Sequence, residues 1–155
     1  MFIFQKTYTR NGLFKGRKNF LVVTASTYVK LQDAFAAERN AVGGWKLIGY
    51  TVPASNNFNY AGEIADANTV EISLSLAKIG WQANNKVVLN DCTLSGTTGG
   101  CFWDIKLSQG ANGGQIAYAA CLTGNAAPLT ANFTAISTPG STCKVSTSVV
   151  SSSGS

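Results

Sequence analysis

The chain has 155 residues and a formal net charge of +5, with 45% hydrophobic and 12% charged residues and no histidine. That length suits one domain with a single packed core. The apolar and aromatic content excludes disorder outside the tail, and without histidine neither a Ser-His-Asp nor a Cys-His triad can be built.

In chain order, the first element is a basic arm. Lys6, Arg10, Lys15, Arg17 and Lys18 lie within the first 20 residues, where there is no acid, so the other seven basic residues balance the seven acidic ones. Phe2, Phe4, Tyr8, Phe14 and Phe20 are interleaved with them. Such an arm has the chemistry to touch phosphate and stack on bases, but no nucleic-acid-binding motif follows it, and no nucleic-acid partner is expected. The longest apolar run near the start is Phe20 to Val23, too short for a membrane span or a secretory signal. Residues 1–23 therefore read as an atypical arm, non-native or disordered.

A helix follows. Tyr28, Leu31, Phe35 and Glu38 recur at three- and four-residue steps, closed by Ala34 and Ala37, and present an apolar stripe that needs a sheet to lie on. Thr24 to Thr27 offers no capping box, as expected of a helix that continues upstream. Asn40, Gly43 and Gly44 tolerate left-handed backbone and should end it, after which Trp45, Leu47, Ile48 and Tyr50 resume strand-like sequence.

The remainder reads as a β-meander. Val70 to Leu76 alternates apolar and polar positions, Lys86 to Leu89 follows a Gln-Ala-Asn-Asn turn, Phe102 to Leu107 alternates again, and Gln115 to Leu122 follows two glycines. Asn132 to Ser137 should add a last strand before Pro139 and Gly140 turn the chain. Helix first and antiparallel strands after it give an α+β roll, with the helix across one sheet face. Ser146 to Ser155 reads as a flexible tail.

Little in the chain carries chemistry. Glu63, Asp66 and Glu71 lie close in sequence but lack the spacing of a calcium loop, and they read as solvated loop charges rather than a carboxylate pair. The GTTGG and GANGG stretches lack the Gly-Lys-Ser/Thr ending of a phosphate loop and read as hairpin turns. No cofactor, metal or enzymatic activity is implied. Trp45, Trp81 and Trp103 have flat faces that stack on sugar rings as readily as on core side chains, so sugar stacking stands beside plain core packing for all three.

The run TYVKLQDAFAAERNAVGGWKLIGYTVP, followed by FNYAGE and later KVVLNDC, resembles the globular head of type IV pilins and pseudopilins, in particular the short pilins of Fibrobacter-like bacteria. The resemblance covers residues 25 to 145. It implies a structural subunit of a type IV pilus or type II secretion pseudopilus, with Tyr28, Leu31 and Phe35 packing on the sheet. The other helix face and residues 40–63 would meet copies of the same or related subunits at the cell surface. The chain departs from the family at its start, where pilins carry a Gly/Phe…Glu leader pattern and a span of about 20 apolar residues that anchors them in the membrane. Residues 24–145 are the expected pilin-like domain. The alternative is a soluble extracellular module that binds cellulose through the tryptophans.

Cys92, Cys101, Cys121 and Cys143 all lie in the C-terminal half, where the family places its staple. With no close cysteine pair and no histidine, disulfides are a better reading than zinc. Of three connectivities, Cys92 with Cys101 and Cys121 with Cys143 is favoured, though spacing does not decide it. Each bridge would stabilise by about 2–4 kcal/mol and points to an oxidising compartment.

Overall fold

The computed structural model describes residues 2–89, 92–95, 98–111, 115–123, 126, 131–141 and 143, with residues 2–19 as backbone. Helix α1, Phe2–Arg39, is 38 residues long and so runs about 57 Å. The backbone of the basic arm is thus helical and continuous with the helix read from Ala25, in keeping with the missing cap at Thr24 to Thr27.

The helix ends where Asn40 takes a left-handed φ of 53° while its N–H still reaches Ala36 O at 2.8 Å. Strand β1, Ala41–Gly43, follows at once and pairs antiparallel with β3, Thr69–Glu71, in a small ribbon beside the helix end. Between them lie α2, Trp45–Ile48, and β2, Phe58–Ala61. The expected strand from Trp45 to Tyr50 is therefore a single helical turn. It is closed by Gly49 at φ 81°, a conformation that favours glycine, with Tyr50 N–H donating to Trp45 O at 2.8 Å.

The main sheet has four antiparallel strands in the order β2-β4-β7-β8, where β4 is Ala77–Asn85, β7 Phe102–Gln109 and β8 Ile116–Thr123. β5, Leu94–Ser95, pairs antiparallel with β6, Thr98–Gly99; the expected turns in GTTGG and GANGG fall on residues 96–97 and 112–114, outside the described residues. A 3₁₀ helix, Ala131–Ile136, stands where a last strand was expected. The coarse reading holds: one helix, antiparallel sheets and a stapled C-terminal half.

Two strand assignments move. Val70 to Leu76 is strand only to Glu71 and then turns through Ser73–Leu76, so that Ile72 and Leu76 reach the core while Leu74 between them points into solvent. The Gln-Ala-Asn-Asn stretch is the last part of central strand β4, and Lys86–Val88 turns instead. Propensity favours a turn for those amides, but Gln82 and Asn85 find buried partners in the sheet that outweigh it.

Alternation gives the sheet an inner and an outer face. Phe58, Tyr60, Trp81, Ala83, Trp103, Ile105, Leu107 and Tyr118 point inward and are buried, whereas Asn59, Gln82, Asn84, Asp104 and Lys106 point outward. Helix α1 lies on the inner face through Leu21, Ala25, Tyr28, Gln32 and Ala36, which follow each other at steps of three or four and are all buried. The centre of the stripe is therefore rotated from the expected one. Tyr28 is in it, Leu31 and Phe35 flank it half-buried, and Ala34, Ala37 and Glu38 face solvent.

Candidate functional site: the helix–sheet seam and the stapled edge

The seam forms where α1 crosses β4 at a bulge. The register shifts between Ile79 and Trp81, and the extra residue is Gly80. A Cβ at Gly80 would collide with Tyr28 Oη and come within 2.8 Å of Leu107 Cδ1, so glycine is what lets helix and sheet approach. The isolated Gly in KIGW was the sequence signal for this bulge.

Around that crossing every buried polar group named here is paired. Gln32 Nε2 donates to Tyr28 Oη at 3.0 Å and to Gly43 O at 2.9 Å, while its Oε1 accepts from Gly43 N–H at 2.8 Å. The amide thereby completes β1's backbone from the helix side, which is why a fully buried polar residue interrupts the apolar stripe. Trp81 Nε1 donates to Tyr50 Oη at 3.0 Å, and Tyr50 Oη donates to Thr24 O at 3.3 Å. Trp45 Nε1 donates to Gly80 O at 2.9 Å. Tyr118 Oη reaches Asp33 Oδ1 at 3.3 Å and joins β8 to the helix.

Burial in this layer pushes the Tyr60 phenol up to about 12 and raises those of Tyr28, Tyr50 and Tyr118 further, in each case chiefly because the phenolate would be desolvated. These phenols are structural hydrogen-bonding groups at neutral pH. None is poised for proton transfer.

The three tryptophans are spent in the same core. Trp81 is fully buried, with Tyr60 at 5.8 Å and Phe133 at 6.1 Å between ring centroids. Trp103 meets Phe58 edge-on at 5.6 Å, and Trp45 meets Tyr50 edge-on at 5.2 Å. The greatest exposure among them is 4%, at Trp45, so no indole face is open for a sugar to stack on. Strand alternation turns Trp81 and Trp103 inward and α2 turns Trp45 inward, so of the two readings the sequence left open all three rings occupy the core-packing one.

Glu63 and Glu71 are exposed and Asp66 half-buried; Glu63 and Asp66 share the β2–β3 connection, and Glu71 ends β3. Among the described residues no group of three histidines, cysteines or carboxylates converges as a metal site. An open groove of about 420 Å³ runs beside α2, with Lys46 and Asp66 as its charged lining. One amine and one carboxylate there make no catalytic pair.

Both disulfides are formed, Cys92 with Cys101 and Cys121 with Cys143. The first is organised by Asn85, at the end of β4. Its Nδ2 donates to Val87 O at 2.9 Å, Cys92 O at 3.0 Å and Thr93 O at 3.2 Å, and its Oδ1 accepts from Cys101 N–H at 3.0 Å. Nothing in the sequence separates Asn85 from a turn asparagine; only the fold brings the loop round it.

The second bridge fixes Cys143 beside β8, and Ser137 and Thr138 lie along the outer edge of that strand. Thr138 N–H donates to Tyr118 O, Tyr118 N–H to Thr138 Oγ1, and Ala120 N–H to Ser137 Oγ, each at 2.9 Å. Phe133, fully buried against Trp81, pins the start of this segment. The expected final strand is thus an edge cover made partly of hydroxyl groups.

No family model, no curated protein and no solved structure matches the chain.

Proposed function

We propose that the chain is a structural subunit of an extracellular filament of the type IV pilus or type II pseudopilus kind, with the sheet as its globular head. The observation that carries this reading is the length of α1. A helix of about 57 Å outruns a sheet whose longest strand, nine residues, spans about 30 Å, and its buried stripe from Leu21 to Ala36 accounts for about 24 Å. The described side chains of the C-terminal half of the helix are committed to the head, and in this reading the backbone helix before them is the part that meets neighbouring subunits.

Two further features support it. The paired disulfides belong to an oxidising, extracellular-like environment. The inner face is fully engaged in packing, which suits a part whose work is shape. Among the described residues no helix is long and apolar enough to cross a membrane. The cellulose-binding alternative rests on open tryptophan faces, and the rings are buried.

The test is immunogold electron microscopy on the producing cells with antibody raised against residues 24–145, together with peptide mapping of sheared filaments. Labelled filaments containing head peptides are expected. Label restricted to unassembled protein, with no head peptide in the sheared fraction, overturns the assignment. Peptides from residues 1–23 in that fraction would establish that the arm is carried in the filament.

A further inference from the structure

The strand at the stapled end of the sheet has an unusual cover. β8 is an edge strand of eight residues, IAYAACLT, with no charge and no proline, the composition that pairs most readily with another strand. Natural edges of this kind are blunted by lysine, proline or a bulge. Here the outward N–H groups of Tyr118 and Ala120 are instead taken by the hydroxyls of Thr138 and Ser137, and the outward carbonyl of Tyr118 by Thr138 N–H.

The cover is closed covalently at its far end by Cys143, which is exposed, while its partner Cys121 is buried in β8. Cys143 Sγ lies 3.5 Å from Ala120 O in a half-buried contact, whereas in the other bridge Cys92 and Cys101 are both buried and neither residue is exposed. Thiol–disulfide exchange needs the attacking thiolate to reach one sulfur in line, so accessibility separates the two bridges.

We propose that the Cys121–Cys143 bridge latches the strap over the β8 edge, and that its reduction by a dithiol opens this edge to antiparallel pairing with the β8 strand of a second copy. A dithiol thiolate attacks Cys143 Sγ, the S–S bond breaks, and Cys121 leaves as a thiolate that takes a proton. The second thiol of the reductant then attacks the mixed disulfide, frees Cys143 and leaves as a cyclic disulfide, so two electrons and two protons pass to the bridge. Freed of its tether, the strap keeps, among the described residues, the packing of Phe133 and Ile136 and the hydrogen bonds of Ser137 and Thr138 to β8, and its far end exchanges with solvent. A second copy offers the same strand in the opposite direction, and each outward N–H then meets a carbonyl across a two-fold axis.

The test titrates the full chain with dithiothreitol and reads three quantities. Alkylation mass spectrometry should show Cys121 and Cys143 reacting at least tenfold faster than Cys92 and Cys101. Amide exchange at Tyr118 and Ala120 should rise at least tenfold while Ala83 and Ile105, inside the sheet, hold. Sedimentation velocity should show a concentration-dependent dimer. Equal reduction of both bridges, unchanged exchange at Tyr118 and Ala120, opening of Ala83 and Ile105 in step with them, or a monomer at every concentration each overturns the proposal. Cys143→Ser should reproduce the reduced behaviour; if it does not fold, Ser137→Ala with Thr138→Val, both bridges intact, should give the same exchange at Tyr118 and Ala120. Ala117→Lys, which puts a charge on the edge strand, should keep the reduced protein monomeric. A dimer formed as readily by that variant places the contact elsewhere and rejects the idea.

Discussion

The two faces of the main sheet solve burial in opposite ways. The inner face is an aromatic and aliphatic layer under α1, where the hydroxyls of Tyr28, Tyr50 and Tyr118 and the indole N–H groups of Trp45 and Trp81 are hydrogen-bonded, while the Tyr60 hydroxyl is buried without a hydrogen-bond partner among the described residues. The outer face buries Asp104 completely and Gln82 almost completely, and joins them by a hydrogen bond from Gln82 Nε2 to Asp104 Oδ1 at 2.8 Å. Alternation along β4 and β7 puts these two chemistries one residue apart. The inner face therefore draws its stability from area and shape, the outer from pairing, and conditions that attack one should spare the other.

High pH should separate them most sharply. The four inner phenols, Tyr28, Tyr50, Tyr60 and Tyr118, all have folded-state values raised above the ordinary value of 10.0, that of Tyr60 to about 12. Above pH 10 the unfolded chain releases these protons while the folded chain retains them, so stability is fully present below pH 10 and falls as pH rises through 12. Each phenol contributes about 1.4 kcal/mol per pH unit in that window, enough in sum to unfold a domain of ordinary stability. Tyrosinate absorbance and loss of ellipticity should rise together in one transition; phenols titrating near 10 in a chain that stays folded would contradict the buried layer.

Next in size is Trp81→Ala, which removes the ring that joins Tyr50, Tyr60 and Phe133 and should cost about 3–5 kcal/mol in urea unfolding. A loss below 1 kcal/mol would mean that the inner face is not close-packed. On the outer face, Gln82→Met keeps volume but takes the amide from Asp104 Oδ1, and should cost about 1–3 kcal/mol. If Gln82→Met is as damaging as Trp81→Ala, the contrast between the faces fails. The smallest effect is expected at Leu74→Ser, where the side chain is 95% exposed and packs on neither face; its midpoint should move by no more than about 0.5 kcal/mol.

How far the sequence announced this arrangement depends on what each residue's partner is. Phe102–Gln109 and Ile116–Thr123 were legible because strand period and burial agree along β7 and β8. The helix was legible as well, though its stripe was centred too far round, since Gln32 counts as polar in any periodicity and is buried only because Gly43 meets it. Asn85 and Gln82 looked like turn residues for the same reason: apart from Val87 O, the partners named for them are 7 to 22 positions away in sequence. Phe133 and Ile136 supplied the apolar positions of a final strand, but Phe133 had one slot to fill beside Trp81, and a 3₁₀ turn delivers it there. The tryptophans could not be sorted between core and surface without the fold. Local pattern gave the elements that pack through periodic apolar faces, and it missed those fixed by a single distant hydrogen bond.

The burial of all three indoles also has an optical consequence. Trp45, Trp81 and Trp103 report from the inner layer, one at the helix–α2 corner and two on the central strands. Their emission should be blue and closed to collisional quenchers in the folded chain. It should turn red and quenchable only when the helix lifts from the sheet, so the protein carries its own dye for the seam that shapes it.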